Sequence, residues 1–272
     1  MDKMAKSIDI IYENDDFLAI NKPSGVLVHR PENGPKSAQR EGVLTDWIEE
    51  HYPEVKGVGD PSAGASTELS RMSSGQANLR PGIVHRLDED TSGVLLIAKN
   101  QRFFEYLKGL FQKHEIAKTY LALVHGRMTG KGKIDKPIGL KSGSVKRSVS
   151  AKGMKMIKEA VTEYQLLKLF KRPDPEKEGE FKYYSLLRVF PHTGRTHQIR
   201  VHLASVGHPI VGDGLYGRKK ENKELKATRQ FLHAESVEFN LEDGNRVRIE
   251  AELPGGLQEF LENLAGRFDY SD

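Results

Sequence analysis

A chain of 272 residues, 37% hydrophobic and 29% charged, has enough apolar side chains to bury a core and too many to be disordered along most of its length. It contains no cysteine, which removes disulfides, thiol nucleophiles and CxxC zinc sites together, and no apolar run approaching roughly 18 residues, which removes a transmembrane helix. The net charge of +4 is only mildly basic, so the overall balance points weakly toward a polyanionic partner.

The N-terminal MDKMAKSIDIIYENDDF turns acidic before any hydrophobic run long enough for a signal peptide, and the expectation is a cytoplasmic protein. Apolar alternation predicts strands over residues 8–12 and 17–21, and residues 46–50 look helical. Residues 57–79, GVGDPSAGASTELSRMSSGQANL, are rich in Gly, Ser and Ala without periodicity; they read as a mobile insertion rather than a domain boundary. A strand follows over 94–98. A helix over 100–113 then places Phe103, Leu107, Leu110 and Phe111 on one face.

Further strands are predicted over 119–124, 161–167 and 184–189. Between Gly130 and Lys158 the chain carries Lys131, Lys133, Lys136, Lys141, Lys146, Arg147, Lys152, Lys155 and Lys158 against Asp135 alone. The bland reading of that block is a solvated face; the sharper one, favoured by the clustering, is contact with a phosphate backbone. A second helix over 196–206 puts Ile199, Leu203 and Val206 on one side and Arg200 on the other, with Thr193 or Thr196 as N-cap and Gly207 as stop. Residues 236–239 and 246–252 flank Asp243-Gly244 as a hairpin, and a last amphipathic helix covers 257–264. There is no internal repeat and no regular βαβ alternation, so the fold class is α+β.

Three stretches carry chemistry. In HRLDEDTSG, an extended 83–88 would set Ile83, His85 and Leu87 on one side and Arg86 with Asp88 on the other, facing a cleft. Asp90, beside Thr91-Ser92-Gly93, suits a turn, and the residues alone leave Asp88 open between turn chemistry and catalysis. In HTGRTHQIRVHLASVGHPIVGD the histidines invite a metal reading. However, His197 and His202 are five apart, about 500° around a helix, and do not share a face as ligands at i and i+4 would. Arg195 and Arg200 suit phosphate contacts or an ion pair with a carboxylate such as Asp88. In AKTYLALVHG, Tyr120 sits in a strand pattern, where an ordinary core or edge tyrosine is the alternative to a functional one.

Taken together these stretches resemble the RluA family of RNA pseudouridine synthases. YENDDFLAINKPSGVLVHR is similar to the family's first motif, RPGIVHRLDEDTSGVLLIAKN to the second, KTYLALVHG to the tyrosine motif and HTGRTHQIRVHLASVGHPIVGD to the third, in the family's order. Weaker similarity runs through IDKPIG, AVTEY and FLHAESVEF. The resemblance implies a mixed, mainly antiparallel sheet split by a catalytic cleft, with peripheral helices, in a single catalytic domain over 1–272 with no S4 domain ahead of it. It makes Asp88 the catalytic aspartate, Tyr120 the residue that packs on the target base, Arg200 the basic partner of the aspartate and Arg86 the side chain that fills the gap left by a flipped uridine. Leu232 is an apolar pocket wall by a looser mapping.

The implied reaction breaks the N1–C1′ bond of a uridine within ribosomal or transfer RNA, turns the uracil and joins C5 to C1′. Reaching the base requires extrusion, at a cost on the order of a few kcal/mol. The aspartate acts as nucleophile or by helping to take a proton from the sugar, two routes that the sequence leaves open. A guanidinium within about 4–6 Å would lower its pKa by roughly 1–3 units. Arg195, Lys146 and Arg147 are expected RNA contacts, and neither metal nor cofactor is implied. RNA is the expected partner of a monomer without an obligate protein partner. Two rivals predict different behaviour: a metal-dependent nuclease or phosphatase using the histidines, and a noncatalytic RNA-binding protein that keeps the fold.

Overall fold

The structure, a computed structural model, is described over residues 8–29, 43–60, 80–141, 146–149, 154–174 and 176–266. The chain divides into two compact units, Met1–Ile116 with Glu238–Ala251, and Ala117–Val237 with Glu252–Asp272.

The first unit contains β1 (Asp9–Glu13), β2 (Phe17–Lys22), α1 (Leu44–His51), a 3-10 turn (Pro53–Gly57), β3 (Ser92–Ala98) and α2 (Gln101–Lys113). β2 pairs antiparallel with β1 on one side and β3 on the other. Phe17 to Ile20 and all seven residues of β3 are buried. Both faces of these strands are therefore covered, and their apolar residues run on continuously in place of the expected alternation. Asn100 begins α2 by accepting a hydrogen bond from Phe103 N at 2.9 Å, a cap worth about 1 kcal/mol. The buried face of α2 is Phe103, Phe104, Leu107 and Leu110, with Phe103 stacked on Phe17 at 4.9 Å. Phe111, expected on that face, instead lies half-buried against His85. Of the 57–79 insertion, Val58 is buried and Gly59 N donates to Gln101 Oε1 at 2.8 Å, while 61–79 lie outside the described residues.

The second unit contains β4 (Ala117–His125), β5 (Lys131–Asp135), β6 (Ile138–Lys141), β7 (Arg147–Ser148), β8 (Met154–Lys158), β9 (Val161–Pro173), β10 (Phe181–Pro191), α3 (Gln198–Ser205), α4 (Lys219–Glu224), β11 (Leu232–Asn240) and α5 (Gly255–Gly266). The last three residues of β11 fall in the first unit, where β12 (Arg246–Glu250) returns beside it as the predicted hairpin, turning through Gly244 at φ +86°. Strand order in the second unit is β11-β4-β10-β9-β5, with β4/β10, β10/β9 and β9/β5 all antiparallel. Leu123, Val124, Leu187, Val189, Leu203, Ile210 and Phe231 form the centre of its core. A small sheet, β7-β6-β8, stands beside this set.

The lysine-rich block thus holds strands that the charge pattern conceals. In β5 only Ile134 is buried, and Lys131 and Lys133 stand exposed on the strand that ends the order, where lysines discourage pairing with another chain. α3 is also shorter than predicted. Its N-cap is His197, at φ +57°, rather than Thr193 or Thr196. Thr193 is engaged elsewhere: its hydroxyl donates to Gln198 Oε1 at 2.6 Å and accepts from Val161 N at 3.1 Å. The stop falls as expected, with Gly207 at φ +87° after the Val206 C-cap. The whole is α+β, largely antiparallel with few helices.

Candidate active site

In the first unit the candidate residues Arg86 and Asp88 sit on the segment 80–91, between the 3-10 turn and β3. Gly82 enters it at φ +66°, donates to Val58 O and accepts from Ala98 N, both at 2.9 Å. A Cβ there would overlap the Ala98 carbonyl and Val55, so only glycine permits this approach. Ile83 bridges to Ile97, and His85 Nε2 accepts from Leu96 N at 2.8 Å while its ring stacks on Phe111 at 4.7 Å. Leu87 is buried. This side of the segment is structural, although the chain bends at Val84 and His85 rather than running as the expected extended strand. On the other side Arg86 is exposed and Asp88 half-buried. Desolvation at its base lowers the Arg86 pKa, the Asp88 charge raises it and Arg80 lowers it further; the guanidinium stays charged at neutral pH. Arg86 Nη1 donates to His29 Nε2 at 3.5 Å. His29 is buried, and desolvation, then the charges of Arg80 and Arg86, push its pKa down to about 4, so the ring is neutral and can accept.

The far end of this segment is pinned from below. Lys22 is fully buried at the end of β2, and its ammonium donates to Pro23 O at 2.8 Å, Val26 O at 2.8 Å and Glu89 O at 2.9 Å. Gly25 N donates to the same Glu89 carbonyl at 2.9 Å, and Thr91 N donates to Asp88 O at 3.0 Å. The backbone on either side of Asp88 is therefore tied both to a turn of its own and to the loop after β2.

In the second unit Tyr120 is half-buried on β4 opposite Val189 of β10, packed against the core. The loop before α3 is organised by Gln198, which is buried. Its amide donates to Val161 O at 2.9 Å and Thr162 Oγ1 at 3.0 Å, and its carbonyl accepts from Thr193 Oγ1 and from Arg195 N at 3.0 Å. Arg200, on the first turn of α3, is 8% exposed and makes a two-point pair with fully buried Asp213, Nε to Oδ2 at 2.7 Å and Nη2 to Oδ1 at 3.0 Å. Burial alone would raise the Asp213 pKa. Arg200, together with the Leu215 and Tyr216 amides donating to Oδ1, holds it below the ordinary value. Arg200 also lies over the Tyr216 ring at 5.3 Å, and the Tyr216 hydroxyl accepts from Arg147 N at 2.9 Å and lies 3.0 Å from His197 Nδ1.

Behind Asp213, Gly212 takes φ +77° and donates to Asn222 Oδ1 at 2.9 Å; a Cβ there would overlap the Arg229 carbonyl. Asn222 Oδ1 also meets His125 Nε2 at 2.8 Å, and His125 Nδ1 meets Glu221 at 3.0 Å. The guanidinium of Arg200 is thus oriented by a buried carboxylate that has its own buried support.

Of the predicted residues, Arg86 and Asp88 lie in the first unit and interact electrostatically; Tyr120, Lys146, Arg147, Arg195, Arg200 and Leu232 lie in the second. Leu232 is core, 4% exposed beside Phe231. Lys146 is exposed and Arg147 half-buried, whereas Lys152 falls outside the described residues. Each histidine of the third stretch has a protein partner: His192 meets Glu163 at 3.3 Å, His197 meets Tyr216, His202 meets Thr162 and Lys136 O, and His208 meets His125 O. Among the described residues no three His, Cys, Asp or Glu side chains gather as a metal-ligand set. The sequence reading missed Lys22, Asp213 and Tyr216. Their signals were a lysine closing an apolar strand in NKPSG, and an aspartate followed by Gly-Leu-Tyr in VGDGLYG.

Comparison with known proteins matches this architecture. The RNA pseudouridylate synthase family profile covers residues 16–205. An uncharacterized RNA pseudouridine synthase of Bacillus subtilis, YlyB, is 34% identical over 94% of this chain and 73% of its own length. The tRNA pseudouridine synthase C of Haemophilus influenzae is 32% identical over 97% of this chain and 99% of its own, and the ribosomal large subunit pseudouridine synthase D of Buchnera aphidicola is 33% identical over 93% and 72%. Human RNA pseudouridylate synthase domain containing 1 superposes with a TM-score of 0.67 at 24% identity over 97% of this chain and 89% of that one, which establishes a shared fold. The profile match spans the loop of Asp88, the strand of Tyr120 and the helix of Arg200, and the chain accordingly belongs to the RluA family of RNA pseudouridine synthases, isomerases that act on RNA.

Proposed function

We propose that this protein isomerises particular uridines of structured ribosomal or transfer RNA, as a cytoplasmic monomer that recognises RNA through its own catalytic domain. Asp88 carries the glycosidic step, either attacking the sugar or helping to remove its proton. Arg86 occupies the place of the extruded base, Tyr120 stacks on the uracil, and Arg200, oriented by Asp213, is the basic residue of the same chemistry. Arg195, Lys146 and Arg147 grip the strand outside the base pocket, which specifies uridine but not its address, and Leu232 is an apolar wall of that pocket. The reaction is redox-neutral and moves protons and one glycosidic bond within a single nucleotide.

The observation that most supports this reading is the build of the Asp88 segment: its backbone is tied at Glu89 to a buried ammonium, and its charged face carries Arg86 and Asp88 as an interacting pair. Such rigidity around one carboxylate exceeds what a surface turn needs. Identity does not separate a ribosomal from a transfer RNA substrate, since the relatives named for each stand at 33% and 32%. The test is tritium release from RNA labelled at uridine C5, run on each RNA pool with chelator present. The wild type should release label from one pool, and Asp88→Asn should release none while its RNA affinity stays within about threefold. Normal turnover by Asp88→Asn would remove the assignment; release from neither pool would favour a noncatalytic RNA-binding protein.

A further inference from the structure

Lys118 stands two residues before Tyr120 on β4, so both side chains project from the same face of the strand, roughly 7 Å apart along it. Because β10 runs antiparallel beside β4 with Val189 opposite Tyr120, the chain leaving Pro191 passes the start of β4. There Lys118 Nζ lies 3.5 Å from Thr193 O, the weak limit of a hydrogen bond. Arg195 follows on the same loop, its amide fixed by Gln198 and its Nε donating to Glu159 O at 3.0 Å. Both side chains are half-buried.

Among the described residues neither cation forms an ion pair, unlike Lys99, Lys182 and Arg188 elsewhere in the molecule. Glu163, on β9 beside β10, is engaged by His192 at 3.3 Å. Desolvation, then the charge of Arg195, lowers the Lys118 pKa to about 8. Two partly desolvated cations, one on the strand and one on the loop that passes its start, destabilise one another, and an anion bound between them relieves both.

We propose that Lys118 and Arg195 form a binding site for one phosphodiester of the RNA strand, at the nucleotide beside the one stacked on Tyr120. The inference rests on the reading of the protein as a pseudouridine synthase and gives it a specific backbone contact. The guanidinium offers a planar fork to two phosphate oxygens and the ammonium a point charge to one. Phosphate binding favours the charged lysine, so the complex takes up a proton once the pH exceeds the free-protein pKa. Affinity is therefore full below about pH 8 and falls as the pH rises through that value.

The experiment uses full-length protein carrying Asp88→Asn, to stop turnover, and a fluorescein-labelled RNA stem–loop with uridines in its loop. Anisotropy gives Kd against salt at pH 7 and against pH from about 6.5 to 9.5, a range set to bracket the lysine titration. Added Lys118→Met should weaken binding and flatten the log–log salt slope by about 0.7–0.9, one phosphate contact. Added Lys118→Arg should bind like its parent at pH 7 and lack the parent's loss of affinity above pH 8, which serves as the readout even if Lys118→Met folds poorly. An unchanged salt slope in Lys118→Met, or a parent-like pH profile in Lys118→Arg, overturns the site. Tritium release by the wild type is read separately: release alongside unchanged slopes sinks the phosphate site alone, and absence of release sinks the isomerase reading whatever Lys118 does.

Discussion

The two loops that hold the candidate residues Asp88 and Arg195 are immobilised by opposite means. The Asp88 loop hangs on a buried charge, the Lys22 ammonium, which donates to three backbone carbonyls across a separation of up to 67 residues. The loop before Arg200 hangs on a neutral amide, Gln198, with four partners from residues no more than 37 positions away. A buried ammonium is costly to desolvate and correspondingly costly to remove once carbonyls are built around it. A primary amide offers donors and acceptors at once and needs no charge to be neutralised. The acidic loop is thus secured by a stronger and more brittle device than the basic one.

That contrast breaks first at Lys22. Lys22→Met should take a charged donor from three carbonyls, of which only that of Glu89 keeps another in Gly25 N, and destabilise the protein by on the order of 4 kcal/mol, with tritium release lost in parallel. Denaturation curves check it, and a loss under 1 kcal/mol would show that the carbonyl cage is not what secures the loop. Gln198→Ala should cost less, about 2–3 kcal/mol, because no charge is lost and the Thr193 and Thr162 hydroxyls keep Val161 N and His202 Nδ1 as partners. Its residual activity should be retained in larger proportion than that of Lys22→Met.

The smallest effect sharpens the comparison through pH. His29, beside Arg86, and His202, beside Gln198's partner Thr162, both have pKa values lowered chiefly by burial. A lowered pKa means that the unfolded state binds the proton first, so stability is full above about pH 6.5 and is lost as the pH falls below it. For His29 the loss continues down to about pH 4. At pH 5.5 the contribution of His29 is about 1 kcal/mol, and His29→Gln should remove that part of the decline between pH 7 and pH 5.5. An unchanged decline in His29→Gln would assign it to other groups.

Much of this molecule was legible beforehand. β2, β3 and α2 are continuous apolar runs or a clear 3.6-residue stripe with an asparagine cap, and their signals are local. In 83–88 Ile83 and Leu87 are buried and Arg86 is exposed, although the segment bends at Val84 and His85 and forms no strand beyond the single bridge at Ile83. The strands within the basic block were hidden because an exposed strand with one buried residue, such as KGKID, has no hydrophobic alternation to read. The Thr193 cap failed for a related reason: a hydroxyl with two eligible donors and acceptors nearby chooses by tertiary packing, and Val161 and Gln198 claim it.

Composition, periodicity and the order of the motifs were enough to determine the α+β class, the family and the candidate aspartate, since each depends on neighbouring residues or on a string of them. Only the tertiary structure decided that Asp213 holds Arg200, that Lys22 reaches Glu89 and that Lys118 on β4 meets the charge of Arg195 on the loop before α3. The physical reason is the range of the interaction. Hydrophobic patterning is written along the chain, whereas the partner of a buried charge is whichever polar group the folded chain brings within about 3 Å, however far away in sequence it began.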